Sequence, residues 1–314
     1  MHVFKVTKFD PEHFGARGYF GPEDVQSDHG PLEAAYLAAV RAFAEDTGVT
    51  ELTIREPSVG GPINFGLEPH VEGHGLTGLF PPDLTGYHDG ARVPLATGVA
   101  LVKAMLRDNG AWCRLEVDGR FFVHVGYDQY MYVGSADPCD DAADRVRALG
   151  LFPEPIRCSP WDVAADELDT PRPADEAFWT ELAELATARG TVLLQENFVG
   201  NASRWRRLRG GDVPDARHGL TPRASLLVWP ELNGDVTAAL GELHGRGLCT
   251  LVREDAEGVI TSRPVVGDDL PAISAELADA RGAMVISLLE GESEPLLAAV
   301  LPDDDGVVRV RWSR

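Results

Sequence analysis

The stretch "SLLVWPELNGDVTAALGELHGRGLCTLVREDAEGVITSRPVVGDDLPAISAELADARGAMVISLLE", residues 225–290, carries the fold reading of this chain. "SLLVWPE" is a short apolar run ending at a proline and reads as a strand. "DVTAALGELHGRG" has helical spacing and closes on glycine. "LCTLVRE" and "GVITSRPVV" read as two strands joined by a polar turn. "LPAISAELADARG" is a second helix and "AMVISLLE" a last strand. The order is β-α-β-β-α-β, the split arrangement of a ferredoxin-like domain. Downstream, "PLLAAVLP" and "VVRVRW" read as a final hairpin. This order names a fold and no function.

Working outward, "DEAFWTELAELATARG" reads as a helix and "TVLLQENFVG" as a strand. Before them lies "PEPIRCSPWDVAADELDTPRPADE", with five prolines and many acids, which reads as a linker over 153–176. The expected domains are therefore 1–152 and 177–314. In the first, "MHVFKVT" alternates as a strand should, and "PLEAAYLAAVRAFAEDTG" sets Leu32, Ala35, Tyr36, Ala39, Val40 and Phe43 on one helical face. Pro31 suits the first helical position and Gly48 the helix end. After the strand "TELTIREP", residues 56–93 are rich in Gly and Pro and show no sustained period. A loop of that length is commonly functional. A second helix, "PLATGVALVKAMLRDNG", leads into "WCRLEV" and "RFFVHVGY", which flank Asp118-Gly119, a type I′ hairpin signal. "YMYVGS" is a third strand, and Asp137-Pro138 opens a helix to Gly150. The expectation is α+β throughout: an N-terminal antiparallel β-meander with packed helices, then a C-terminal ferredoxin-like βαββαβ domain.

The chain has 314 residues and a formal charge of −22. Its apolar and charged fractions are ordinary for a globular protein. No apolar run reaches the ~18 residues of a membrane span, and the N-terminus lacks the pattern of a signal peptide. Cys113, Cys139, Cys158 and Cys249 form no C-x-x-C pair and match no zinc spacing, so reduced thiols and a cytoplasmic setting are expected. Of the basic residues only Lys5, Lys8 and Lys103 are lysines, and arginine supplies the rest. The acidic balance opposes non-specific binding to nucleic acid or anionic membrane and favours basic partners.

"MHVFKVTKFDP", "SDHGPLEAAYLAAVRAFAEDTGV", "GLFPPDLTGYHDGA", "MLRDNGAWCRLEV" and "HVGYDQYMYVGS" resemble a family of uncharacterised actinobacterial proteins that is sometimes labelled RNA-binding. The resemblance covers residues 1–155. It implies nucleic-acid binding and supplies no activity or site residue to carry over.

Against the acidic background one segment stands out. "RWRRLRGGDVPDARHGLTPR", residues 204–223, holds Arg204, Arg206, Arg207, Arg209, Arg217 and Arg223 against two aspartates, a net of +4. Guanidinium groups grip phosphate bidentately, and Trp205 offers a flat face for a base. Pairing with the protein's own carboxylates is the competing reading. A second candidate is the long loop, where "HVEGH" sets His70 and His74 four apart and His88 precedes Asp89. Imidazole beside carboxylate is general-base chemistry, but flanking glycines argue against a helical metal site. A third is the cluster of His124, Tyr127, Tyr130, Met131 and Tyr132, aromatics that stack bases or simply lock a hairpin. "PDDDG" at 302–306 reads as a solvated turn. Phosphate-loop, nucleophile-elbow and zinc signatures are absent, and no metal or cofactor is expected.

These observations order three expectations. The first is a non-enzymatic protein binding RNA or another phosphate-rich ligand through Arg204, Trp205, Arg206, Arg207, Arg209, Arg217 and Arg223. The second is an acidic interaction module, of inhibitor or immunity type, for a basic partner. The third is an enzyme using His70, His74, His88 and Asp89.

Overall fold

Gly30, at φ +75°, and Pro31 turn the chain into its first helix, α1 (Pro31–Asp46). Proline costs nothing there, because the first helical N–H has no partner to lose. The apolar face predicted for this helix buries Ala35, Tyr36, Ala39, Val40 and Phe43, while Leu32 is half-buried. Glu33 is buried beside them and is matched by Arg107, whose Nη2 lies 3.0 Å from Oε1, and by Lys103 at 3.6 Å. The structure, a computed structural model, describes residues 1–21, 30–64, 75–126, 129–161, 171–243, 247–267, 270–289 and 293–309. The chain divides into two compact units. One comprises Met1–Gly60 with Val71–Asp169, the other Gly61–His70 with Thr170–Arg314.

The first unit contains β1 (His2–Thr7), a two-residue pair β2 (Phe14–Gly15) and β3 (Gly18–Tyr19), α1, and the long strand β4 (Glu51–Asn64), whose last four residues count with the second unit. It continues with β5 (Arg92–Pro94), α2 (Leu95–Leu106), β6 (Ala111–Val117), β7 (Phe121–Val125), β8 (Met131–Ser135), α3 (Asp140–Ala148) and β9 (Phe152–Ile156). β6, β7 and β8 pair antiparallel in sequence, and β1 then lies between β8 and β9. At the β6–β7 turn only Gly119 has a positive φ, +64°. A type I′ turn needs two such residues, so the Asp118-Gly119 pair makes a different turn from the one its sequence predicts.

The second unit contains α4 (Glu176–Arg189), β10 (Val192–Leu208), α5 (Val213–His218), β11 (Ser225–Pro230), α6 (Val236–Leu243), β12 (Leu248–Glu254), β13 (Ile260–Val266), α7 (Leu270–Glu276), β14 (Gly282–Ser287) and β15 (Leu297–Val300). Asp175 caps α4 by accepting the Phe178 N–H at 3.0 Å. The six elements read as a ferredoxin-like domain are all present in order, yet they do not form that fold. A split βαββαβ unit needs its four strands in one sheet. Here β11 pairs with β10 and β15, while β12, β13 and β14 form a separate sheet in the order β13-β12-β14.

The N-terminal meander is not a sheet of its own either. Ten strands share one sheet in the order β15-β11-β10-β4-β6-β7-β8-β1-β9, with β5 on β4. The architecture is α+β: a ten-stranded sheet, two small sheets and, among the described residues, seven α-helices. None of those helices is long and apolar enough to cross a membrane. Residues 307–309, expected in a closing hairpin, are not in a strand.

The three-stranded sheet is buried on both faces. Cys249, Leu251, Val265, Ala283 and Val285 pack under Ala239 and Leu243 of α6, Ile273 of α7 and Leu277 just past its end. Val252 and Ile286 face Leu193, Trp229 and Leu232, with Trp205 and Met284 at the margin. Helices of seven or eight residues are not stable alone. Burying each Leu, Ile or Val contributes about 1.5–3 kcal/mol, so packing rather than propensity holds α6 and α7.

Candidate functional site

Arg204, Trp205, Arg206 and Arg207 lie at the end of β10, Arg209 just beyond it, Arg217 on α5 and Arg223 in the loop before β11. In an extended strand ten residues span roughly 33 Å. Arg206 Nη2 nevertheless stands 3.2 Å from Glu196 Oε2, and Gln195 Nε2 stands 3.1 Å from Ser203 Oγ. The strand therefore folds sharply back between these residues, where Asn201 adopts φ +65°. The arginines of the second arm consequently meet the side chains of the first.

Alternation then splits the cluster between two faces. On one, Arg204 and Arg206 converge on Glu196, which is 0% exposed. Arg204 Nη1 is 3.6 Å from Oε1, donates to Thr221 Oγ1 at 3.0 Å, and sets its guanidinium 4.4 Å from the Phe198 ring centre. Arg206 donates to the Gly219 carbonyl at 2.8 Å, and a Cβ on Gly219 would approach Arg206 Nη1 to 3.1 Å. Glu196 also accepts the Thr221 N–H at 2.7 Å.

On the other face, Trp205 joins the Val252 core and donates to Ser262 Oγ at 3.0 Å. Arg207 clasps two carboxylates, with four contacts of 2.7–2.9 Å to Glu231 and Glu254. Hydrogen bonds to Glu254 and then Glu231 raise the Arg207 pKa above the ordinary arginine value, and the same bond holds the Glu254 carboxyl below its usual range. Burial pushes Glu231 up, but the bonds from Arg207, Thr191 and the Leu232 N–H outweigh it, and its pKa is lowered.

The remaining arginines follow suit. Arg223 grips Asp303 through Nε at 2.6 Å and Nη2 at 2.8 Å. Arg217 pairs with Glu176 at 2.7 Å above the Trp179 ring. Arg209 alone in the segment has no ion pair among the described residues. It is exposed, and its backbone N–H donates to Asp212 Oδ2. Asp303 and Asp305 of "PDDDG" are both held by Arg309. Sequence reasoning thus found the cations and missed their partners Glu196, Glu231, Glu254 and Asp303. The even and odd spacing of Arg204, Arg206 and Arg207 was the signal that they part to opposite faces.

His70 and His74 lie outside the described residues. His88 Nδ1 is 2.8 Å from the carbonyl of its neighbour Asp89, whose carboxylate is committed to the Glu56 N–H at 2.8 Å and to Arg55 at 3.4 Å. The two side chains are therefore tied to separate structural partners, and no acid/base pair forms between them. Among the described residues no three His, Cys, Asp or Glu side chains gather as metal ligands.

The sheet face bearing His124 is more organised than its sequence suggested. Tyr127 lies outside the described residues, Met131 and Tyr132 are buried, and Tyr130 is half-buried. His124 stacks on Phe122 with ring centres 4.2 Å apart. Its Nδ1 is 2.9 Å from Ser159 Oγ and its Nε2 is 3.4 Å from Glu116 Oε1. Hydroxyl, imidazole and carboxylate in line have the order of a nucleophile, base and acid. Both Ser159 and His124 are only 2% exposed, and the Trp161 N–H caps the hydroxyl at 3.2 Å. The chain of bonds fastens residues 159–161 to the sheet and presents no nucleophile to solvent. Arg114 on the same face is buried and bonded to Glu56 and to the Trp161 carbonyl.

Compared with protein-family models, with curated proteins and with solved structures, the chain finds no match.

Proposed function

We propose that this chain is a non-enzymatic binding protein whose partner is a basic protein surface. One observation carries the reading: five of the six arginines in 204–223 are spent on carboxylates of their own unit. Arg207 and Arg223, each held bidentately by a carboxylate, must lose that partner before they can take a phosphate. The segment therefore offers an external polyanion little beyond Arg209 and Arg217, whose pair with Glu176 is solvent-exposed. The excess of 50 acidic over 28 basic residues remains to set the external field. Such a field speeds and orients encounter with a cationic partner and repels nucleic acid. Four unpaired cysteines, three of them buried, fit a reducing, cytoplasmic setting.

Fluorescence anisotropy at 50 and 300 mM NaCl tests this against the RNA reading. A labelled basic protein is expected to bind at the lower salt and to weaken at least tenfold at the higher. A 20-nucleotide single-stranded RNA is expected not to bind at either. RNA binding at 50 mM that disappears when Arg204, Arg206, Arg207 and Arg209 become alanine would restore the arginine segment as a phosphate-binding surface.

A further inference from the structure

β14 is an edge strand. It pairs with β12 on one side, and on the other, among the described residues, it bridges to Asn233, which exchanges two backbone bonds of 3.0 Å with Ala283. The β12–β14 register, continued by the Leu288 N–H bonding the Leu248 carbonyl, turns even-numbered residues of β14 toward β12 and odd-numbered ones outward. Of the outward residues, Ala283 is bridged to Asn233, and the Ser287 N–H donates to Ser293 Oγ at 3.0 Å. Val285 lies between them. Among the described residues nothing pairs with its backbone N–H and C=O on the open side.

That gap opens into a cleft of about 410 Å³, lined by Trp229, Pro230, Met284 and Ile286 and rimmed by Glu231, Glu242 and Glu294. The volume lies in the range of sites that hold small ligands. Glu231 is compensated by Arg207. Glu242 and Glu294 are exposed, and no cation pairs with either among the described residues. An apolar floor, a free strand edge and two uncompensated carboxylates together select one kind of occupant. We infer that this cleft takes a short extended segment of a basic protein by strand addition to β14. The segment exchanges two backbone hydrogen bonds with Val285, lays an apolar side chain on Trp229 and Ile286, and sets Lys or Arg side chains against Glu242 and Glu294. The inference rests on the basic-partner reading and gives it an address.

The probe is a fluorescein-labelled Arg-Val-Arg-Val-Arg peptide, with Glu-Val-Glu-Val-Glu as its control. Only the basic peptide is expected to bind. The double variant Glu242→Lys/Glu294→Lys, confined to exposed positions, should weaken binding about tenfold through two inverted charge contacts. Val285→Pro removes the outward N–H and should weaken it about fivefold, and because Val285 also packs beneath α6 and α7, the variant's urea midpoint is measured alongside so that lost packing is told apart from the lost N–H. Amide exchange on the unmodified chain provides the same readout without mutation: the peptide should slow exchange at Val285 more than elsewhere in β14. Peptide binding that neither variant alters, with no protection at Val285, overturns the cleft while leaving the basic-partner reading intact. Failure of both the peptide and the labelled basic protein to bind overturns both.

Discussion

Glu196 shows how a cluster that looks like a binding surface becomes part of an interior. Its carboxylate is fully buried, and two arginines and a backbone N–H converge on it. Removing one member of a buried ion cluster leaves charge without compensation, which costs more than the intact cluster ever contributed. Glu196→Gln keeps the shape and deletes the charge, so it should lower unfolding free energy by about 3 kcal/mol. Arg209→Ala, at an exposed position, should change it by less than about 0.5 kcal/mol. Urea denaturation compares the two directly. Equal and small effects would mean that Glu196 is not the anchor of this region.

At the scale of elements, what was legible and what was not divide along a physical line. The face of α1 could be read because helical spacing is a property of one segment, and Ala35, Tyr36, Ala39, Val40 and Phe43 are buried as that spacing requires. The strands of 225–290 could also be read individually. Their sheet could not, because alternation says that a strand is half-buried and nothing about which strand lies beside it. β11 therefore answers to β10 and β15 rather than to β12 and β14. The arginine segment failed for a related reason. The strand expected over "TVLLQENFVG" stops at Gly200, whereas β10 runs on to Leu208 and folds back near Asn201. Asparagine bears a positive φ better than branched residues do. Asn201→Val should cost about 1–2 kcal/mol by forcing a branched side chain into the left-handed region, while Asn201→Gly should be close to neutral. Thermal unfolding of the pair decides it. Equal losses would assign the effect to the asparagine side chain rather than to the backbone turn.

For the whole molecule, two opposing electrostatic effects set the pH of greatest stability. Hydrogen bonding to Arg207 lowers Glu254, bonding to Arg223 lowers Asp303, and bonding to Arg309 takes Asp305 down to about 2. A carboxylate whose folded pKa is depressed adds stability above its unfolded value, near 4. That contribution is lost as pH falls through the folded value. These pairs therefore weaken the fold only below about pH 4. The opposing effect comes from the surplus acids of a −22 chain, which repel one another at neutral pH. Partial protonation between roughly pH 6 and 4.5 relieves that repulsion before the ion pairs begin to fail. The urea midpoint should consequently peak near pH 5, fall gently toward pH 7 and fall steeply below pH 4. Screening acts on the repulsion between exposed charges and on the exposed Asp305–Arg309 pair, and much less on the more enclosed pairs of Glu254 and Asp303. Adding 0.5 M NaCl should then raise the midpoint at pH 7 more than at pH 5. A midpoint that climbs steadily from pH 5 to 7, with salt lowering it, would mean that paired charges outweigh the surplus, and the outward acidic field would lose its standing as the dominant feature of this protein.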